Sequence, residues 1–75
     1  ENIIDLIPEI SVYPNPSKDV IFINIHEEIK ILKIISLNGK VIKNLEPKNN
    51  INISFLEEGM YLINVNNYFV KFLKN

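Results

Sequence analysis

The sequence predicts an all-β fold, a small antiparallel β-sandwich of seven strands with immunoglobulin-like, Greek-key connections, and three observations carry that expectation. Apolar and polar residues alternate over short stretches at the two-residue period of a half-buried strand, and no stretch sustains a helical period. Short strand-like runs recur about every eight to twelve residues, with turn signals such as Pro-Asn-Pro, Asn-Gly, Glu-Gly and Asn-Asn between them. The hydrophobic fraction, 47%, rests on isoleucine, leucine, valine and aromatics, with no alanine at all. Such residues are stiff at the first side-chain torsion and pack well on a pleated surface.

Taken in order, Ile10, Ser11 and Val12 alternate into a first strand that stops at Tyr13-Pro14-Asn15-Pro16. Proline has no amide proton and pushes its predecessor toward extended geometry, so two prolines in three residues make a rigid corner. Ser17-Lys18-Asp19 completes that loop. Val20–Ile25 is the second strand, with Ile21, Ile23 and Ile25 on its core face. His26-Glu27-Glu28 is a polar connection, and Lys30–Leu37 is read as the third strand, with Leu32 and Ile34 inward. A helix over Glu27–Leu37 would gather Ile31, Ile34 and Ile35 on one side. Asn38-Gly39 argues against it, because this pair between two apolar runs signals a two-residue type I′ hairpin flanked by strand on both sides. Lys40–Leu45 is the fourth strand, ended by Glu46-Pro47-Lys48-Asn49-Asn50, and Ile51–Phe55 the fifth.

After the turn at Glu58-Gly59, Tyr61, Ile63 and Val65 share one face of the sixth strand. Asparagine tolerates the left-handed conformation, so Asn66-Asn67 reverses the chain into a seventh strand over Tyr68–Leu73. The expected inward set is Val12, Ile21, Ile23, Leu32, Ile34, Leu37, Val41, Ile53, Leu56, Tyr61, Ile63, Val65, Val70 and Phe72. Ile35, Ile42, Leu62 and Phe69 are then left pointing outward, where a contiguous apolar patch would indicate a partner.

Composition narrows the function. Seventy-five residues make one small domain, which buries only about 60–65% of the surface its unfolded chain exposes. The net charge is −1, and every basic residue is a lysine interleaved with carboxylates and asparagines, so no nucleic-acid surface is expected. No apolar run approaches the ~18 residues of a membrane span. Cysteine is absent, which leaves redox compartment unreadable. The chain opens on Glu1 and an apolar-acidic stretch, so residues 1–9 are read as a linker from something longer and residues 10–75 as the domain.

Catalysis finds no constellation. His26 beside Glu27 and Glu28 lacks the spacing of a closed metal site, and Ser11, Ser17, Ser36 and Ser54 stand in no context suggesting a base or an oxyanion hole. No enzyme activity, cofactor or metal is therefore expected. Asn52-Ile53-Ser54 matches a glycosylation acceptor formally and is taken as chance. Each remaining motif has a structural and a functional reading. Pro14-Asn15-Pro16 is a corner or a recognition mark, and Gly39 is a turn residue. Gly59 and Tyr61 are a turn and a half-buried aromatic, or a recognition element. Lys71 and Lys74 are solvated edge charges that discourage aggregation, or contacts for a partner.

Those motifs, in their order, resemble a known family. Val12-Tyr13-Pro14-Asn15-Pro16, a hairpin with Gly39, Leu56-x-x-Gly59-x-Tyr61-Leu62 and a last strand with Lys71 and Lys74 are similar to the type A C-terminal sorting domain of the type IX (Por) secretion system of Bacteroidota. The resemblance covers Ile10–Asn75 and implies a delivery signal rather than a catalyst. Its partners would be the secretion translocon, a surface sortase-like peptidase and a preceding cargo domain, and a homodimer is left open. The cargo would fold in the periplasm, cross the outer membrane and lose the domain by a cut within or beside residues 1–8. It would end at the cell surface or outside, in some cases joined to lipopolysaccharide. Pro14, Asn15, Pro16, Gly39, Gly59, Tyr61, Lys71 and Lys74 are the recognition residues this resemblance implies. The alternative is a passive β-sandwich accessory module, a carbohydrate-binding or fibronectin-like spacer. The absence of tryptophan and the placing of most aromatics in core or turn positions weigh against it.

Overall fold

The computed structural model describes residues 10–75; the linker expected over residues 1–9 lies outside them. Seven strands make up the regular structure of the described residues: β1 (Ile10–Tyr13), β2 (Val20–Ile25), β3 (Leu32–Ile35), β4 (Val41–Asn44), β5 (Asn50–Asn52), β6 (Gly59–Val65) and β7 (Tyr68–Lys74). They form a three-stranded sheet in the order β1-β2-β5 and a four-stranded sheet in the order β4-β3-β6-β7. Every strand pairing is antiparallel. The chain changes sheet after β2, β4 and β5, and the two orders are those of an immunoglobulin-type sandwich whose fourth strand lies beside the third.

Alternation along the strands builds the core between the sheets. Ile21 and Ile23 of β2 and Ile51 of β5 meet Leu32, Ile34, Ile63, Val65 and Phe72 of the opposing sheet in one buried cluster. The partners of alternation, Val20, Phe22 and Phe69, are exposed. Each isoleucine so buried contributes about 1.5–3 kcal/mol, and a domain of this size has few such contributions to lose.

The core differs from expectation where the chain changes phase. Gly39 donates its N–H to Ser36 O at 2.9 Å and Ser36 donates to Lys40 O at 2.8 Å, while Gly39 takes φ +92°. The hairpin is thus a three-residue loop, Leu37-Asn38-Gly39, with glycine in the left-handed position, not the two-residue type I′ turn the dipeptide suggested. Ser36 Oγ, bonded to Asn38 Oδ1 and accepting from Lys40 N–H, organises it. Leu37, expected inward, therefore sits in the turn and is 56% exposed.

The register then slips from Ile34↔Lys43 to Ile35↔Val41, a bulge that sets two residues of β4 against one of β3. Val41, also expected inward, is put on the outer face and exposed. Ile35 lies on that outer face as expected but is buried, flanked by Val41 and Leu62 across the ladder. Ile29 and Ile51 join the core beyond the expected set, while Tyr61 and Val70 are only partly covered. Aromatics are less confined to core and turns than expected: Tyr13, Phe22, Phe55 and Phe69 are exposed.

The third strand is shorter than expected because a side chain takes its first amides. Lys30 and Ile31 donate their N–H groups to Asn66 Oδ1 at 2.8 and 3.1 Å, and Asn66 N–H donates to Ile31 O at 2.9 Å. Asn66, at φ +54° in the β6–β7 turn, also donates through Nδ2 to Glu27 Oε1 and Glu28 O. Tyr68 Oη donates to Glu27 Oε2 at 2.9 Å, fastening the last hairpin to the β2–β3 connection.

Two outcomes follow. Phe72 is 1% exposed and Phe69, three residues earlier on the opposite face, is 60% exposed. In urea unfolding, Phe72→Ala should cost about 3–5 kcal/mol, enough to unfold a small domain, whereas Phe69→Ala should stay within about 0.5 kcal/mol. The hydrogen bond to Glu27, with burial and the carboxylate's charge adding to it, raises the Tyr68 pKa above 10.0. The neutral phenol is the bonded form, so this contact is present below the unfolded pKa and lost as pH rises through the folded one. Glu27→Gln should return Tyr68 toward its ordinary value, read as phenolate absorbance in an alkaline titration.

Candidate recognition edge at the C-terminal strand

Strand β7 is the last in its sheet and pairs with β6 in an unbroken register from Gly59↔Lys74 to Val65↔Tyr68. Its other side would be a row of unpaired backbone groups. The corner between β1 and β2 covers part of it. Ser17 N–H donates to Leu73 O at 3.0 Å, and Asn75 N–H donates to Ser17 O at 2.9 Å, a parallel bridge of Ser17 opposite Lys74.

Two residues earlier the same pattern is made by a side chain. Asn15 Nδ2 donates to Lys71 O at 3.3 Å, and Leu73 N–H donates to Asn15 Oδ1 at 2.9 Å. In a parallel ladder a residue bonds the carbonyl before its partner and the amide after it. The Asn15 carboxamide does so around Phe72 and thereby stands in for a peptide group. Pro14 and Pro16, both with cis peptide bonds, flank it with no N–H groups of their own. Ser17, 5% exposed, anchors the exit by donating Oγ to Val20 O at 2.7 Å.

The Gly59 and Tyr61 motif meets the same strand from its other side. Tyr61 stacks on Phe72 with ring centroids 5.8 Å apart and donates its hydroxyl to Glu57 O at 2.7 Å. That bond holds the turn in which Gly59 takes φ +146°, a conformation that side chains rarely adopt. Gly59 in turn lies opposite Lys74. Lys18, Glu58, Gly59, Leu73, Lys74 and Asn75 ring a shallow open depression at this end.

Seven of the eight sequence-predicted residues are therefore brought together: Pro14, Asn15, Pro16, Gly59, Tyr61, Lys71 and Lys74. Gly39 is at the same end of the four-stranded sheet but on the far edge, in the β3–β4 turn. The two lysines differ. Lys71 is exposed on the outer face opposite Leu62, whereas Lys74 is 8% exposed and donates Nζ to the Asn75 main-chain oxygen at 2.7 Å, so it is not a solvated edge charge. Ser17 and Leu73 complete the edge without having been singled out. A buried serine beside prolines and a leucine in an apolar strand carry no signal of which backbone groups they present. Among the described residues, no group of three His, Cys, Asp or Glu side chains could hold a metal ion.

A protein-family model described as a secretion system C-terminal sorting domain matches residues 11–74. No curated protein and no solved structure matches the chain.

If Asn15 stands in for a peptide, its loss should be felt in stability. Two hydrogen bonds, one long and both exposed, should contribute about 1–2 kcal/mol together, so Asn15→Ala should lower Tm by about 4–8 °C per kcal/mol lost. Asn15→Asp should lower it at least as far, because it faces Lys71 O with an acceptor. An unchanged Tm in both variants, measured by circular dichroism, would show that the side chain does not hold the edge.

Proposed function

The chain belongs to the secretion system C-terminal sorting domain family, the sorting signal of type IX secretion, and from that premise we propose how it acts. It carries no chemistry of its own. It directs a cargo protein attached ahead of residue 10 from the periplasm across the outer membrane, to the cell surface or beyond, and a surface sortase-like peptidase then cuts within or beside residues 1–8. The translocon reads the composite formed by the Pro14–Ser17 corner, the Gly59 turn with Tyr61, and strand β7 carrying Lys71.

The observation that supports this reading is the convergence itself. Motifs separated by more than forty residues in sequence contact one strand, and the bond from Leu73 N–H to Asn15 Oδ1 spans 58 positions. A corner needed only to turn the chain has no reason to place a carboxamide on the last strand. A module acting as a spacer needs no such composite either. One feature does favour the accessory-module reading: Tyr13 and Phe22 stack with centroids 5.7 Å apart on the outer face of the three-stranded sheet, 52% and 43% exposed. Exposed aromatics can stack on a sugar face.

The test is export. A periplasm-targeted fluorescent protein followed by residues 1–75 should reach the medium or surface of a Bacteroidota host with type IX secretion, lose the domain in doing so, and stay periplasmic in a secretion-deficient host. Retention of the folded fusion in both hosts would remove the sorting reading. Glycan binding that is abolished by Tyr13→Ala would then support the other.

A further inference from the structure

The clasp made by Asn15 and Ser17 covers only half of the β7 edge, and the other half has the form of a docking site. Leu73 sets the phase, since both its N–H and its carbonyl bond the clasp. Residues of the same parity face the same way, so the backbone groups of Phe69 and Lys71 also point to this edge. The Lys71 carbonyl is taken by Asn15. Lys71 N–H, Phe69 N–H and the Phe69 carbonyl have no partner on that side among the described residues. The clasp cannot extend to them, because Pro14 has no N–H and the chain before it leaves for β1 in the other sheet.

The remaining sheet edges suit docking less well. Strand β1 has four residues and runs into the prolines, and β5 has three. Strand β4 is broken by its bulge, which disfavours edge pairing. Among the edge strands of the described residues, only β7 offers seven residues in regular register.

We propose that the uncovered half of β7, from Tyr68 to Lys71, receives an extended segment of a secretion-machinery protein as an added strand, continuing the parallel ladder that Asn15 and Ser17 begin; this rests on the sorting reading above. Asn15 and Ser17 occupy the positions opposite Phe72 and Lys74, and the next vacant positions are opposite Val70 and Tyr68. A partner residue opposite Val70 donates its N–H to the Phe69 carbonyl and accepts from Lys71 N–H. The one opposite Tyr68 accepts from Phe69 N–H. Such evenly spaced donors and acceptors match a peptide backbone, not a lipid or a nucleotide chain. On the outer face, the added strand lies beside Phe69, which is 60% exposed, and the exposed ammonium of Lys71. An apolar side chain and a carboxylate two residues apart would complement them.

The experiment uses the full cargo-bearing protein in a type IX-competent host. Phe69→Pro removes an edge-facing N–H and leaves the bonds to β6 intact, a substitution edge strands tolerate. Phe69→Ala removes the side chain and keeps the N–H. Export should fall at least tenfold in Phe69→Pro, with the protein folded in the periplasm, and less than threefold in Phe69→Ala. Lys71→Pro removes the neighbouring edge donor and carries the same test should Phe69→Pro fail to fold. A folded proline variant exported like the parent overturns the proposal and leaves the sorting reading intact. A parent protein retained equally in competent and secretion-deficient hosts overturns both. A purified parent that is dimeric, and made monomeric by Phe69→Pro without loss of export, assigns the edge to a second copy of the chain and also overturns the proposal.

Discussion

The pairing of residues 15–17 with the edge of β7 is the contact on which the rest of the arrangement depends. It joins the loop after the first strand to the last strand, and so ties the three-stranded sheet to the four-stranded one along one side of the sandwich. On the other side, Lys43 Nζ lies 4.8 Å from the centroid of the Phe55 ring, a weaker and exposed bridge between β4 and the turn after β5. Backbone groups of a terminal strand left to water would cost little energetically but would let it fray. Here those from the Lys71 carbonyl to the Asn75 N–H are paired, and Phe72 between them is held in the core. The clasp and the core are thus coupled: Phe72 cannot leave without breaking the bonds on either side of it.

That coupling explains the differing treatment of two lysines three residues apart. Lys74 lies on the inner face, buried, where its ammonium finds the Asn75 main-chain oxygen. Lys71 lies on the outer face, where the neighbouring positions Leu62, Ile35 and Val41 run apolar across three strands. One lysine therefore completes the interior while the other stands exposed at the end of an apolar row on the outer face. An edge with an exposed charge resists indiscriminate pairing.

The fold was legible wherever local pattern and turn chemistry agreed. In β2 and β7 burial alternates at the two-residue period, in β6 Tyr61, Ile63 and Val65 share the core-facing side, and Asn66 takes the left-handed conformation expected of it. The reading failed where one residue changed phase. At Asn38-Gly39 the dipeptide marked a hairpin, but its length decides which way Leu37 and Val41 face, and neighbouring Ser36 helped to set it as three residues. Lys30 and Ile31 looked like strand because their pattern is strand-like; their amides are bound by a side chain 35 or 36 positions away, which no local window contains. The candidate site was half legible. Prolines and glycines announce backbone constraints, and resemblance picked them out together with Asn15, Tyr61, Lys71 and Lys74. That a carboxamide substitutes for a peptide, or that one lysine is buried, depends on long-range placement.

Backbone recognition would also account for which residue types the site needs. In a chain rich in isoleucine, asparagine and lysine, most surface side chains can be exchanged for others of the same kind without moving a strand. The groups that fix backbone position are more constrained: the prolines that supply no donor, the glycine at φ +146°, the asparagine that copies a peptide, and the tyrosine that holds the glycine's turn. These are the residues gathered at β7. A partner pairing with main-chain groups gains affinity from any well-placed edge and takes selectivity from the few side chains beside it. One machine could then accept many cargoes whose sorting domains differ at most positions, provided each presents the same half-covered strand.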